Sequence, residues 1–344
     1  MQRIDTAKCD RSPNCFDAHQ ASAILQSEPD LRFFRYNLVT KKVGKQMTRI
    51  AKFTAIAAVV IAAPAFAAAS LDANMELDNT YYAKAADRLQ QGGRVEVNIG
   101  SKTTVGSGFV AARGTVILPV AGNNTNGATV DDAWVEGGSD AFSLKLGRFE
   151  AADLGPLGKD TLVVDPGFYR GNAGRGRGFG TTASDFHATL NANLGSGVGF
   201  ELGLIETKST LKETGFGYRP VVTFGAAGAS FKLGVDKVNG QNTGVAATAA
   251  LKVAGGDVNV GYAQRKTITT NTKNNSLTLN GTFGAFGAGL VVGKVDGVSA
   301  NSVYAAYTVP FFVPAASLTL AAASGKLSGG DRETGLRARI NYGF

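Results

Sequence analysis

The sequence predicts an all-β chain: a transmembrane antiparallel β-barrel of 16 strands whose third external loop folds inward. Three observations carry that prediction. Apolar residues make up 44% of the chain, yet they alternate with polar ones, and beyond residue 67 no apolar run is long enough for a membrane helix. Period-two segments recur almost end to end, broken by glycine-bearing turns. One stretch of 34 residues, 150–183, has neither a strand nor a helical period, and FSLKLGRF and DFHATLNANL flank it with clear alternation. A connection of that length inside a compact domain needs a functional reason.

The N-terminal region stands apart from this pattern. Met47 to Lys52 form a basic start, Phe53 to Ala63 an apolar run, and Ala65-Phe66-Ala67 fits the small-x-small cleavage rule. Residues 47–67 therefore read as a signal peptide cut after Ala67, too short to anchor in a membrane. Residues 1–46 precede it, show no period and hold both cysteines, Cys9 and Cys15; they read as an upstream extension, with Met47 the start. Residues 68–344 are the barrel. Residues 1–67 hold 10 Lys/Arg and 5 Asp/Glu, which leaves 25 against 22 in the remainder, so the net charge of +8 falls to +3 and is no nucleic-acid footprint.

Taken in order, Leu71, Ala73, Met75 and Leu77 alternate with Asp72, Asn74, Glu76 and Asp78. A polar connection at 84–92 leads to Val95, Val97 and Ile99 alternating with Arg94, Glu96 and Asn98. Segments at 105–119, 128–138 and 140–149 follow, with a loop at 122–127. After the long stretch come 184–194 and 198–208, then 218–225 and 229–238, 244–254 and 258–269, 275–284 and 288–295, 301–310 and 315–325, and finally 334–344. Tight glycine turns alternate with polar connections at 209–215, 239–243, 270–274 and 326–333, as short periplasmic turns alternate with longer outer loops. The count is 16, and parity makes 150–183 the third outer loop.

The last segment presents Leu336, Ala338, Ile340, Tyr342 and Phe344 on one face and Arg337, Arg339 and Asn341 on the other. Tyr81, Tyr82, Phe149, Tyr218, Tyr307, Phe311, Phe312, Tyr342 and Phe344 sit near segment ends, where interfacial girdles lie, and Trp134 reads as a further interface anchor.

With its signal peptide, its segment sizes, the long third loop after Lys145-Leu-Gly-Arg148 and the ending Asn341-Tyr-Gly-Phe344, residues 68–344 resemble the trimeric general porins of Gram-negative outer membranes. The resemblance implies a homotrimer in the outer membrane, in contact with its lipid. It also implies a water-filled channel for passive diffusion of small hydrophilic solutes and ions. The C-terminal strand, with Tyr342 and Phe344, would be the signal read by the barrel-assembly machinery. The acidic Pro-Glu-Phe-Gly-Gly loop tip of enterobacterial members is absent; Asp165-Pro-Gly-Phe-Tyr-Arg170 stands there, followed by Arg175 and Arg177.

In such a channel the third loop narrows the lumen and opposed charges set a transverse field. The loop offers Arg170, Arg175 and Arg177 with Glu150, Asp153, Asp160 and Asp165, and Arg148 sits at its root. Lumen registers of the wall offer Arg94, Lys145, His187, Lys232, Arg265, Arg337 and Arg339 against Glu96 and Asp236. Basic residues outnumber acids in that set, which predicts weak anion preference.

Other chemistries find little support. The barrel segment has one histidine, His187, and no cysteine, and no local motif supplies His187 with a catalytic partner, so no enzyme is predicted. Asp131-Asp132…Glu136 lacks metal-ligand spacing, and neither a metal nor another cofactor is expected. The Gly-Arg-Gly-Arg-Gly string behind an export signal does not make a nucleic-acid partner. A sugar- or organic-acid-preferring channel is the near alternative; an exported adhesin without a pore and an outer-membrane hydrolase are more distant ones.

Overall fold

The computed structural model describes residues 69–120, 127–158, 163–171, 186–208 and 214–344. The proposed extension at 1–46, the signal peptide at 47–67, and Asp160, Arg175 and Arg177 lie outside the described residues. Sixteen strands follow in chain order: β1 Ser70–Tyr82, β2 Leu89–Val105, β3 Gly108–Pro119, β4 Thr129–Ser139, β5 Phe142–Arg148, β6 Phe186–Gly195, β7 Val198–Lys208, β8 Thr214–Ala226. The second half is β9 Ala229–Val238, β10 Asn242–Val253, β11 Gly256–Thr267, β12 Thr272–Phe283, β13 Phe286–Val295, β14 Val298–Phe311, β15 Val313–Leu327 and β16 Glu333–Gly343. Each strand pairs antiparallel with its neighbour, and β16 returns to β1, closing the barrel. The expected fold class and strand number are those observed.

Alternation fixes the two faces. Cross-strand partners share a face, so the ladder carries a single inward register round the barrel: Asp78 pairs with Arg339, Glu76 with Arg94, Glu136 with Lys145 and Lys232 with Thr248. Outward registers carry Leu71, Ile99, Leu144, Leu190, Leu233, Leu277, Val303 and Leu336, all exposed, as a lipid-facing band requires. Two-residue loops at 196–197, 227–228, 254–255 and 296–297 hold both residues at positive φ, the turn that matches strand twist.

Some boundaries differ from the sequence reading. The second strand begins at Leu89, taking up Gly92 and Gly93, because β1 offers an unbroken ladder opposite them. Segment 105–119 is a hairpin arm, with the turn at 106–107. The outer connections are also shorter than expected: β9 to β10 takes 239–241, β11 to β12 takes 268–271 and β13 to β14 takes 296–297. Polar residues there continue the ladders as rim positions of the strands. Only the connection between β5 and β6, loop L3, is long.

A barrel leaves no space between layers for a core, and here the buried apolar clusters lie inside the lumen. Leu154 and Tyr169 of L3 pack on Val221, Ala246 and Ala263 of the wall. Val164 and Phe168 pack on Val291, Ala300, Tyr304 and Ala323.

Candidate functional site

L3 is fastened to the wall by donors aimed at its backbone. The wall strands offer hydroxyl, amide and cationic groups on inward registers, and the loop carbonyls, lacking a ladder of their own, accept from them. Arg219 Nη2 donates to the carbonyls of Ala152 and Gly171 at 2.8 and 3.1 Å. Lys232 reaches the Asp153 carbonyl at 3.2 Å, and the Thr248 hydroxyl donates to that of Leu154. Asn280 holds Pro156 at 2.8 Å, Tyr304 holds Leu157 at 2.6 Å, Ser302 holds Val164 at 2.7 Å and Ser276 holds Tyr169 at 2.5 Å. Tyr82, on the far side of the seam, donates to Val163 at 3.4 Å.

At the centre of this face lies a buried charge network. Arg219 and Asp236 have side chains 0% and 1% exposed and pair through Nε and Oδ1 at 2.7 Å. Glu201 lies 3.6 Å from Arg219 Nη1 and accepts the Ala152 amide at 3.0 Å. The Tyr169 hydroxyl donates to Asp236 at 2.6 Å, and the Arg265 guanidinium lies 5.0 Å from its ring centre. Burial, and then the Asp236 carboxylate beside it, pushes the Tyr169 phenol well above the ordinary tyrosine range, so it stays a donor. Small residues beneath make the contact possible: a Cβ at Gly244 would stand 2.5 Å from the Tyr169 hydroxyl, and one at Gly234 would strike Leu154.

The arc from β16 through β1 to β4 carries inward charge, with the loop touching it at Tyr82 near the end of β1. Arg339 binds Asp78 through two bonds of 2.7 and 2.8 Å and lies 3.0 Å from Glu76. Arg337 approaches Asp78 at 3.9 Å, and Arg94 lies 3.8 and 3.6 Å from Glu76 and Glu96. Arg113 donates to Asn98 at 2.7 Å and approaches Glu96 at 3.9 Å. The Arg94 and Arg113 side chains are each 41% exposed, against 14% for Glu76 and 20% for Glu96, so water inside the barrel meets guanidinium before carboxylate. β2, at the middle of this arc, stands eight strands from β10, one of the strands that hold the loop. One wall is thus covered by the loop while the facing arc stays open and charged.

The barrel fold has counterparts among solved structures. A mutant of the Rhodopseudomonas blastica porin superposes with a TM-score of 0.58 at 16% identity, covering 80% of this chain and 100% of that one. A loop-L8 deletion mutant of OmpT, an outer membrane protein of Vibrio cholerae, superposes with a TM-score of 0.59 at 11% identity, covering 80% and 99%. The family model described as "Porin-like glycoporin RafY" matches residues 61–196. The chain has the porin fold. No curated protein matches it. The likeness to porins read from the sequence is thereby borne out.

Within the porin barrel the residues singled out from sequence fall into distinct places. Arg94, Glu96, Arg337 and Arg339 gather on the open arc. Lys232, Arg265 and Asp236 lie beneath L3 as its anchors. His187 is buried and stacked on Phe149, ring centres 4.0 Å apart. Lys145 lies 3.9 Å from the Trp134 ring centre, 5.0 Å from that of Phe149 and 3.6 Å from Glu136. Arg170 is paired with Asp165, so the loop's described part is less basic than its composition implies.

Three readings need correction. Arg148 does not line the lumen: it pairs with Ala133 on the outward register and donates to the Val130 carbonyl at 3.0 Å. Trp134 is no interface anchor, since its partners Arg113 and Gly147 share the inward register. Tyr82 and Phe149 likewise face inward, holding the loop and His187 and taking no part in a lipid girdle. Sequence reasoning also missed Arg113, Arg219, Glu76 and Asp78 as site residues. Alternation in β1 could have supplied the last two. Arg113 was obscured by the register shift between Gly114 and Val116.

Proposed function

We propose that the chain forms a water-filled channel in the outer membrane of a Gram-negative bacterium, passing small hydrophilic solutes and ions by diffusion with weak anion preference. One observation carries this reading: L3 is fastened along one wall of a closed sixteen-stranded barrel while the facing arc keeps half-exposed arginines. Cations on the more accessible positions favour anions in the adjacent water, and the carboxylates among them keep the preference small. Export through the signal peptide at 47–67, with 1–46 an untranslated extension, a homotrimeric assembly, and recognition of β16 through Tyr342 and Phe344 by the assembly machinery belong to the same proposal. The test is recording in planar bilayers under a salt gradient. Stepwise conductance with a reversal potential of anionic sign is expected. A silent barrel sinks the channel, and a cation-selective one sinks the preference.

A sugar-preferring channel is the second reading. It is favoured by Trp134 on the inward register and by the matched family's description as a glycoporin. Liposome swelling separates the two: uptake of oligosaccharides faster than amino acids of equal size favours the second.

A further inference from the structure

One row of the open arc sets an arginine beside the chain's single tryptophan. Across β2 to β5 the inward register reads Gly100, Arg113, Trp134 and Gly147, each the direct cross-strand partner of the next. Two large side chains are thus bracketed by glycines. A Cβ at Gly100 would meet only the Ser70 hydroxyl and the Ala112 carbonyl, so neither large side chain leans into that space. At Gly147, whose φ is 127°, a Cβ would strike the Ala133 carbonyl, so only glycine serves there and no side chain stands directly across from the indole on β5.

The donors of this row are only partly used. Arg113 is steadied by Asn98, which accepts from Nη2 at 2.7 Å, and by Thr115, which accepts from Nε at 3.2 Å. Its Nη1 has no hydrogen-bond partner among the described residues, and its side chain is 41% exposed. Glu96 stays 3.9 Å away, beyond hydrogen-bond reach. The half-buried Trp134 has no partner for its indole N–H among the described residues. Lys145 lies 3.9 Å from the ring centre, but Glu136, 3.6 Å from it, offsets that charge. Directly opposed residues on neighbouring strands hold their Cβ atoms about 5 Å apart, so guanidinium and indole are within reach of one small molecule.

A ring and a cation so placed complement a solute built the same way, a flat ring bearing a carboxylate. The solute's ring packs on the indole in the offset manner of aromatic pairs, and its carboxylate takes a charge-assisted bond from the guanidinium. We propose that Arg113 and Trp134 form a binding site for aromatic monocarboxylates of the benzoate type, a class of anion that the channel takes up in preference to simple ones. As a statement about uptake the inference rests on the channel reading; as a statement about binding it does not. The lone tryptophan is its own reporter, so the test is a fluorescence titration of the full barrel in detergent, with benzoate, acetate, benzyl alcohol and maltose as probes. Saturable quenching by benzoate is expected, with acetate and benzyl alcohol at least about tenfold weaker, since each lacks one of the two contacts. Arg113→Gln should weaken benzoate about tenfold, the loss of one charge-assisted hydrogen bond. In planar bilayers, benzoate should interrupt the chloride current, Trp134→Phe should keep that block and Trp134→Ala should lose it. Absent or unsaturable quenching, quenching by acetate or benzyl alcohol equal to that by benzoate, a stronger response to maltose, or an unchanged Arg113→Gln overturns the proposal. A conducting barrel whose tryptophan ignores benzoate sinks the site alone, and a silent barrel whose tryptophan responds sinks the channel alone.

Discussion

Arg219 holds more of L3 than any other described side chain, gripping the carbonyls of Ala152 and Gly171 while neutralised by Asp236. Replacing it with methionine keeps the volume but strands a buried carboxylate. Arg219→Met is therefore expected to destabilise the barrel by about 3–5 kcal/mol, read as a lowered thermal midpoint, and to raise open-channel noise in bilayers. Tyr169→Phe removes one bond to a charged acceptor and should cost about 2 kcal/mol. The sign of its pH dependence follows from the raised phenol. A group whose folded value lies above its unfolded one stabilises fully below the ordinary value near 10 and loses that only as pH climbs past the folded value. Conductance is thus expected to stay level from pH 7 to about 10; a rise within that window would show the phenol ionising and the loop letting go. None of this was legible from sequence. Arg219 sits between Tyr218 and Pro220 with nothing local to mark it, because its importance comes from two loop carbonyls 67 and 48 residues away.

At the scale of elements, strands were the readable part. A strand with lipid on one side and water on the other must alternate, so β1, β5, β6, β9 and β16 show themselves directly in their residues. Boundaries were less readable where a polar rim residue serves equally as strand end or loop, as at Lys273 and Lys326. The inward-folding of L3 was inferred from its length and from the resemblance to porins; its route was invisible, since the glycines and alanines that receive it are scattered over strands β9 to β16. That dependence gives a test. Gly244→Val places a branched side chain where the Tyr169 hydroxyl lies, and the loop is expected to leave the wall there. Single-channel conductance should change while the heat-modifiable gel shift of a folded barrel persists. Unaltered conductance would mean that this part of L3 does not border the conducting path.

For the whole molecule, the proposed selectivity is assigned to the open arc. Arg94→Glu with Arg113→Glu reverses two half-exposed charges there, and the reversal potential is expected to change sign toward cations. The shift should shrink near 1 M salt, where the screening length is about 3 Å. The count of wall charges made from sequence left out Glu76, Asp78 and Glu136, which share the inward face and pair with Arg94, Arg339 and Lys145, and it left out Arg113 and Arg219 as well. The anchoring of L3 also has a consequence in time. Leu154, Leu157 and Val164 are held by residues 94, 147 and 138 positions downstream. The surface that receives the loop exists only after β8 to β15 have been strung together, and contacts so distant in sequence form late. The β1–β16 seam joins residues farther apart still, 261 positions between Asp78 and Arg339, so docking of the loop is expected to precede closure of the barrel.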